Sequence, residues 1–128
     1  MAHDYFYDMA RAIQDGENQV ADPGDGNPIS LDGKSDVYCE INSTSGTETR
    51  VLPDPATLGP GRRITIALNV NDGTSVTVTQ PNAASFTPNT PADEALFNAV
   101  GEWATFEVMR VGSANLWQTK GSGGATIS

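Results

Sequence analysis

A mainly β fold is predicted for this chain: a single antiparallel β-sandwich or jelly-roll-like barrel, preceded by a short N-terminal helix and an extended arm. Three observations predict it. From Arg62 to Gln80 apolar and polar residues alternate on both sides of Asn71-Asp72-Gly73, a strong hairpin signal. From Ala99 to Gln118 the same arrangement recurs around Gly112-Ser113-Ala114-Asn115. Between and around them, Gly, Pro, Asn and Asp punctuate roughly seven or eight short strands, the count and spacing of a sandwich or small barrel.

The elements follow in chain order. Residues 4–15 form a short amphipathic helix in this reading, with Phe6, Met9, Ala10 and Ile13 at helical spacing, Asp4 as N-cap and Gly16 as stop. It packs on its own domain or docks on another chain. Glu17 to Gly33 is rich in Pro, Gly, Asp and Asn and reads as an extended arm rather than packed structure. Residues 1–33 are therefore the helix and arm, and residues 34–128 the β domain. Val37, Cys39 and Ile41 alternate with Tyr38 and Glu40, the period of a half-buried strand. A turn at Ser43 to Gly46 leads to a strand at Thr49 to Leu52, which Pro53 and Pro55 end. Ile64, Ile66 and Leu68 face Val76 and Val78 across the Asn-Asp-Gly turn, with Thr65, Thr77 and Thr79 outside.

Gln80 to Asp93 holds Pro81, Pro88 and Pro91 and reads as a long surface loop. Leu96 to Val100 resumes a strand. In Glu102 to Val111, Ala104, Phe106 and Val108 face the core, leaving Trp103, Thr105, Glu107 and Met109 outside. Leu116 to Thr119 pairs back across the Gly112 turn, and Gly121 to Gly124 loosens the chain before Ala125-Thr126-Ile127. Trp117 reads as a core residue whose N–H reaches a backbone acceptor. Trp103 beside Met109 forms an apolar patch, which is either a contact surface or is covered by the N-terminal segment.

Composition narrows the function. The 128 residues fit one domain, and 16 acidic against 7 basic residues give a net charge of −9, which argues against tracking phosphates and hence against nucleic acid. The acidity fits a basic partner surface. The first ten residues are acidic where a secretory signal is basic, and no apolar run approaches the roughly 20 residues of a membrane span, so a soluble, cytoplasmically made chain is expected. Asn42-Ser43-Thr44 matches a glycosylation acceptor by chance in that setting.

Groups for catalysis are hard to assemble. One cysteine, Cys39, and one histidine, His3, supply neither a zinc site nor a nucleophile with its base. Cys39 reads as a small buried apolar residue, since Tyr38 and Glu40 do not activate a thiol. Asp22, Asp25, Asn27 and Asp32 lack the ligand spacing of a calcium loop and read as turn residues. Gly121-Ser122-Gly123-Gly124 has no Lys-Ser ending and is not a phosphate cradle. No carboxylate pair is marked out for glycoside hydrolysis. The expectation is a non-enzymatic protein without cofactor or metal.

The order Val51-Leu52-Pro53, Gly61-Arg62-Arg63-Ile64-Thr65-Ile66, Thr74-Ser75-Val76-Thr77-Val78-Thr79 and Ala99-Val100-Gly101-Glu102, then a Gly-Ser turn and Trp117, resembles small β-rich virion proteins of tailed bacteriophages. It is most similar to their head decoration (cement) proteins, over residues 49–128, and it is also similar to repeat modules of phage fibres. The resemblance implies a sandwich or jelly-roll domain on the capsid exterior, bound to the major capsid protein, often as a homotrimer whose terminal arms reach neighbouring subunits. The partner-contact residues that follow are Tyr5, Phe6, Tyr7, Met9, Ile13, Trp103 and Met109. The alternative it implies is a fibre- or tail-associated module that binds a receptor or glycan through an exposed aromatic platform.

Overall fold

The computed structural model describes residues 18–87 and 91–128. The expected helix at 4–15, with Tyr5, Phe6, Tyr7, Met9 and Ile13, lies outside the described residues, as does His3. Within them the chain is mainly β, as expected. Ten strands form two five-stranded sheets. One, sheet A, has the order β1 (Gln19–Val20), β3 (Asp36–Ser43), β5 (Arg63–Asn71), β8 (Trp103–Val111), β9 (Ala114–Gly123). The other, sheet B, has the order β10 (Thr126–Ile127), β7 (Ala95–Phe97), β6 (Ser75–Thr79), β4 (Thr47–Val51), β2 (Asn27–Pro28). Their inward side chains share one core, a sandwich-like arrangement.

The sheets are mixed, which corrects the antiparallel expectation. The first six strands alternate between the sheets, so β1, β3 and β5 pair in parallel in sheet A, and β2, β4 and β6 pair in parallel in sheet B. Each crossover between parallel neighbours is itself a strand of the opposite sheet, and the chain winds as a flattened coil. Only β7 to β10 are antiparallel additions.

The expected hairpin across Asn71-Asp72-Gly73 is therefore absent: β5 lies in sheet A and β6 in sheet B. A two-residue type I′ turn needs positive φ at its glycine, and Gly73 is not among the residues with positive φ. The turn instead stacks on the preceding one. Asp72 N donates to Ser43 O (3.1 Å), Gly73 N to Ser43 Oγ (3.1 Å) and Thr74 N to Gly46 O (2.8 Å). A Cβ on Gly73 would lie 2.6 Å from Gly46 O, so the stacking needs glycine there. The second hairpin forms as expected. β8 and β9 pair antiparallel across Gly112-Ser113, with Gly112 at φ 63°, the conformation that the first residue of a type II′ turn requires.

Strand faces follow the alternation. Val37, Cys39 and Ile41, Ile64, Ile66 and Leu68, Val76 and Val78, and Ala104, Phe106 and Val108 are all buried. Trp117 is fully buried and its Nε1 donates to Pro53 O at 2.8 Å, as the sequence implied. Cys39 is buried on β3, and burial, with the Asp22 carboxylate near it, pushes its thiol up to about 12, which leaves it protonated and inert at neutral pH.

Two segments read as loose are packed. From residue 18 onward the arm is threaded along both sheets: Val20, Ile29 and Leu31 enter the core, and β1 and β2 pair with β3 and β4. Its carboxylates complete the edges. Asp22 Oδ2 accepts the Asn42 amide (2.8 Å) and Asp25 Oδ1 accepts the Thr49 amide (2.8 Å), so acids read from the sequence as turn residues stand in for strand partners. The stretch after Gln80 closes the opposite edge. Gln80 Oε1 accepts from Trp117 N (3.0 Å), Phe86 O accepts from Thr119 N (2.8 Å), and the Phe86 ring is buried. Its expected role as a surface loop is corrected by that ring. With β9 covered around Trp117 and Thr119 and β1, β2 and β10 only two residues long, the described residues offer little open edge for another strand to join.

Candidate functional site

The outer face of sheet A is organised in rows by strand register. One row runs Asp36, Arg63, Glu107, with Arg63 Nη2 donating to Glu107 Oε1 at 2.6 Å. The next runs Tyr38, Thr65, Thr105, where the two threonine hydroxyls bond at 2.8 Å. The third runs Glu40, Ala67, Trp103.

At that third row the face opens into a cleft of about 380 Å³, walled by Tyr38, Thr65, Ala67, Asn69, Val100 and Trp103. Three large apolar residues are exposed among the described residues: Val100 at 64 %, Trp103 at 39 % and Val70 at 37 %. Val100 and Trp103 are cleft walls, and Val70 follows another wall residue, Asn69, in the chain. They are held there by backbone pairing: Gly101 N donates to Leu68 O (2.9 Å) and Leu68 N to Glu102 O (2.9 Å), while Glu102 Oε1 accepts the amides of Asn98 (2.6 Å) and Ala99 (3.1 Å). The 98–102 turn is thereby tied to β5. Burial, followed by the carboxylate of Glu40, raises the Tyr38 phenol above its ordinary value, so the hydroxyl stays protonated.

Trp103 is placed by glycines. Its indole runs along the β9 backbone, where a Cβ on Gly121 would lie 3.6 Å from the ring. A Cβ on Gly123 would overlap Nε1 and lie 2.8 Å from Cε2 and 2.9 Å from Cδ1. The Gly121 to Gly124 run, expected to loosen the chain, remains in strand through Gly123 and serves as a bed for the ring, an aromatic covering of strand glycine. Gly123→Ala is expected to lift the indole off the strand and cost about 1–3 kcal/mol of stability as an overpacked site. Red-shifted emission and stronger acrylamide quenching of Trp103, against an unchanged Trp117, would show it. Emission identical to the parent's would mean that the ring does not rest on Gly123.

Met109 does not join this patch. It faces outward as expected, but it pairs with Leu116 at the hairpin end of β8, six residues and about 20 Å from Trp103. The expected Trp103–Met109 pair is separated by strand geometry. Of the two sequence-predicted contact residues that are described, Trp103 lines the cleft and Met109 does not.

The residues that sequence reasoning missed are inside. β4 turns Glu48 and Arg50 inward, where Arg50 meets Asp22. Arg50 Nε donates to Asp22 Oδ1 (2.6 Å), and Nη2 reaches Asp22 Oδ2, Glu48 Oε1 and Asn42 O, each at 3.1 Å; Nη1 donates to Thr49 O at 3.0 Å. Glu48 Oε2 also accepts the amides of Thr44 and Ser45. For Asp22, burial alone would raise the pKa, but the Arg50 hydrogen bond and the Asn42 and Gly24 amides outweigh it and hold the carboxyl below its ordinary value. Glu48 is held low mainly by the Thr44 amide, against burial. Each guanidinium nitrogen of Arg50 is hydrogen-bonded, and Arg50 and Glu48 are buried with Asp22 at the rim, so the cluster is a clamp on the 18–33 tract. The strict alternation of Thr47, Thr49 and Val51 with Glu48 and Arg50 is the signal that places both charges on one face.

Among the described residues no group of three His, Cys, Asp or Glu is arranged to hold a metal ion. The sequence matches no protein-family model and no curated protein.

Proposed function

We propose that this chain is a structural virion protein, a decoration (cement) protein that binds the outside of an assembled tailed-phage head and stabilises it. The observation that carries the proposal is that two of the three exposed large apolar side chains of the described residues, Val100 and Trp103, line one cleft on a sheet face whose neighbouring edges are partly covered. A patch of this kind marks a protein contact. The virion assignment comes from the sequence resemblance, and the sandwich-like fold with its mixed sheets is compatible with it. In this reading the protein is non-enzymatic and homotrimeric. It binds the major capsid protein across subunit junctions, so mass action favours the assembled lattice over its dissociated states. Closed three-fold symmetry lets each copy meet the lattice in the same way.

The test is binding to heads of the encoding phage that lack the protein. Saturable binding in many copies, with heads that then survive higher temperature, is the expected result. A chain that stays monomeric in light scattering and leaves the heads bare would overturn it. A fibre or tail module stacking a host sugar on an aromatic platform is the second reading, favoured by the half-exposed Trp103 indole. It predicts a shift of Trp103 emission on adding host surface glycan and only a few copies per particle.

A further inference from the structure

The Trp103 cleft is neutral where it is apolar and acidic around it. Its walls carry no Asp, Glu, Lys or Arg. Among the described residues, the charged groups placed nearest to it by register and sequence are two acids and one base: Glu40, in the row Glu40, Ala67, Trp103; Glu102, which precedes Trp103; and Lys120, which precedes the Gly121 beneath the indole. None of the six Lys and Arg side chains of the described residues (Lys34, Arg50, Arg62, Arg63, Arg110, Lys120) lines it. Arg50 is consumed by Asp22 and Glu48, and Arg63 by Glu107. Two copies meeting through this face would set Glu40 and Glu102 against their own counterparts, in a chain of net charge −9, and like charges across an interface are unfavourable. The opening suits one bulky side chain, and its surroundings suit cations on either side of that side chain.

We infer that the Trp103 cleft takes an apolar side chain presented on a lysine- or arginine-bearing segment of a different protein, and that copies of this chain meet through another surface. The inference rests on the proposed role as a lattice-binding structural protein and specifies the chemistry of that contact. The apolar anchor sits between Trp103 and Val100 over Ala67, as a buried anchor does at the centre of an interface. Flanking cations face Glu40 and Glu102, which steer the encounter and set the orientation.

The full chain is titrated with the hexapeptides KKLFKK, SSLFSS and EELFEE while tryptophan emission is followed; Trp117 is buried, so the response belongs to Trp103. The lysine peptide is expected to bind about fivefold more tightly than the serine one, the glutamate peptide to give no shift, and added salt to erase the difference. Glu40→Lys reverses the order of the charged peptides. Val100→Asp, in an exposed turn where folding is not at stake, weakens the lysine peptide about thirtyfold and leaves the mass in light scattering unchanged. Any of four results overturns the inference: no emission change with any peptide, equal response to all three, a neutral oligosaccharide shifting Trp103 where peptides do not, or a changed oligomeric mass in Val100→Asp. If the peptide order holds while bare heads stay unbound, the decoration reading fails and the cleft chemistry stands. If heads bind while the peptide order fails, the reverse holds.

Discussion

Arg50→Met is expected to lower the stability of this protein by about 3–5 kcal/mol, because it leaves buried carboxylates without their cation. With a typical urea dependence that is a fall of roughly 2 M in the unfolding midpoint. Arg50 is fully buried, and its guanidinium serves Asp22, Glu48 and the carbonyls of Asn42 and Thr49 at once. Arg50→Lys recovers only part of the loss, since one ammonium cannot reproduce the fork that spans four acceptors. The same cluster sets an acid dependence. Asp22 and Glu48 both titrate lower in the folded chain than their ordinary values of 3.8 and 4.5. The unfolded chain therefore takes up protons first as pH falls. The contribution of the cluster is complete above about pH 5 and is lost as pH drops through the folded pKa values. Falling pH also relieves the self-repulsion of a chain with net charge −9, so the comparison that isolates the clamp is the parent against Asp22→Asn. The variant is expected to be less stable at pH 7 and to show a shallower decline in acid. Parallel urea midpoints for the two proteins from pH 7 to pH 3 would show that the clamp carries no such term.

Phe86→Ala is expected to cost a similar amount, about 3–5 kcal/mol, the range for emptying a buried aromatic site. The ring is fully buried and lies 4.7 Å from that of Phe106, centroid to centroid, at 39°. Its backbone also covers β9: Phe86 O accepts from Thr119 N, and Phe86 N donates to Ala92 O at 2.6 Å. Losing the ring should loosen the segment that shields the edge of sheet A, so faster hydrogen exchange at Thr119 and Trp117 is expected beside the lower urea midpoint. Stability equal to the parent's would place the segment outside the core, as its prolines and polar residues suggest.

Phe86 shows how local pattern misleads. One aromatic among Asn, Ala, Ser, Thr and Pro has no period, so nothing nearby announces that it fills the space under β8. The strands with period-two alternation were legible because each needs one buried face, whatever it pairs with. Ala104, Phe106 and Val108, and Trp117 with its backbone acceptor, could be assigned without knowing their neighbours. The same holds for the outward placement of Trp103. Its cleft was not legible, since Tyr38, Ala67, Val100 and Trp103 come from three strands and a turn. The glycines beneath it looked like a flexible tail because their purpose, room for an indole, belongs to a different strand.

The sequence by itself determined the period-two strands β3, β5, β6 and β8 and their buried faces, the β8–β9 turn and the buried Cys39, because each depends on residues within a few positions of one another. Only the tertiary structure decided that the coil runs in parallel, that the acidic arm completes two sheet edges, and that Asp22 and Arg50, 28 positions apart, form an ion pair. Pairing direction is set by where a turn sends the chain. At Asn71-Asp72-Gly73 that was decided by the Ser43–Gly46 turn it stacks on, with Gly73 permitting the close approach, and not by its own residues alone. Long-range contacts of this kind form only when the chain has closed on itself, and they leave no period in the sequence to be read.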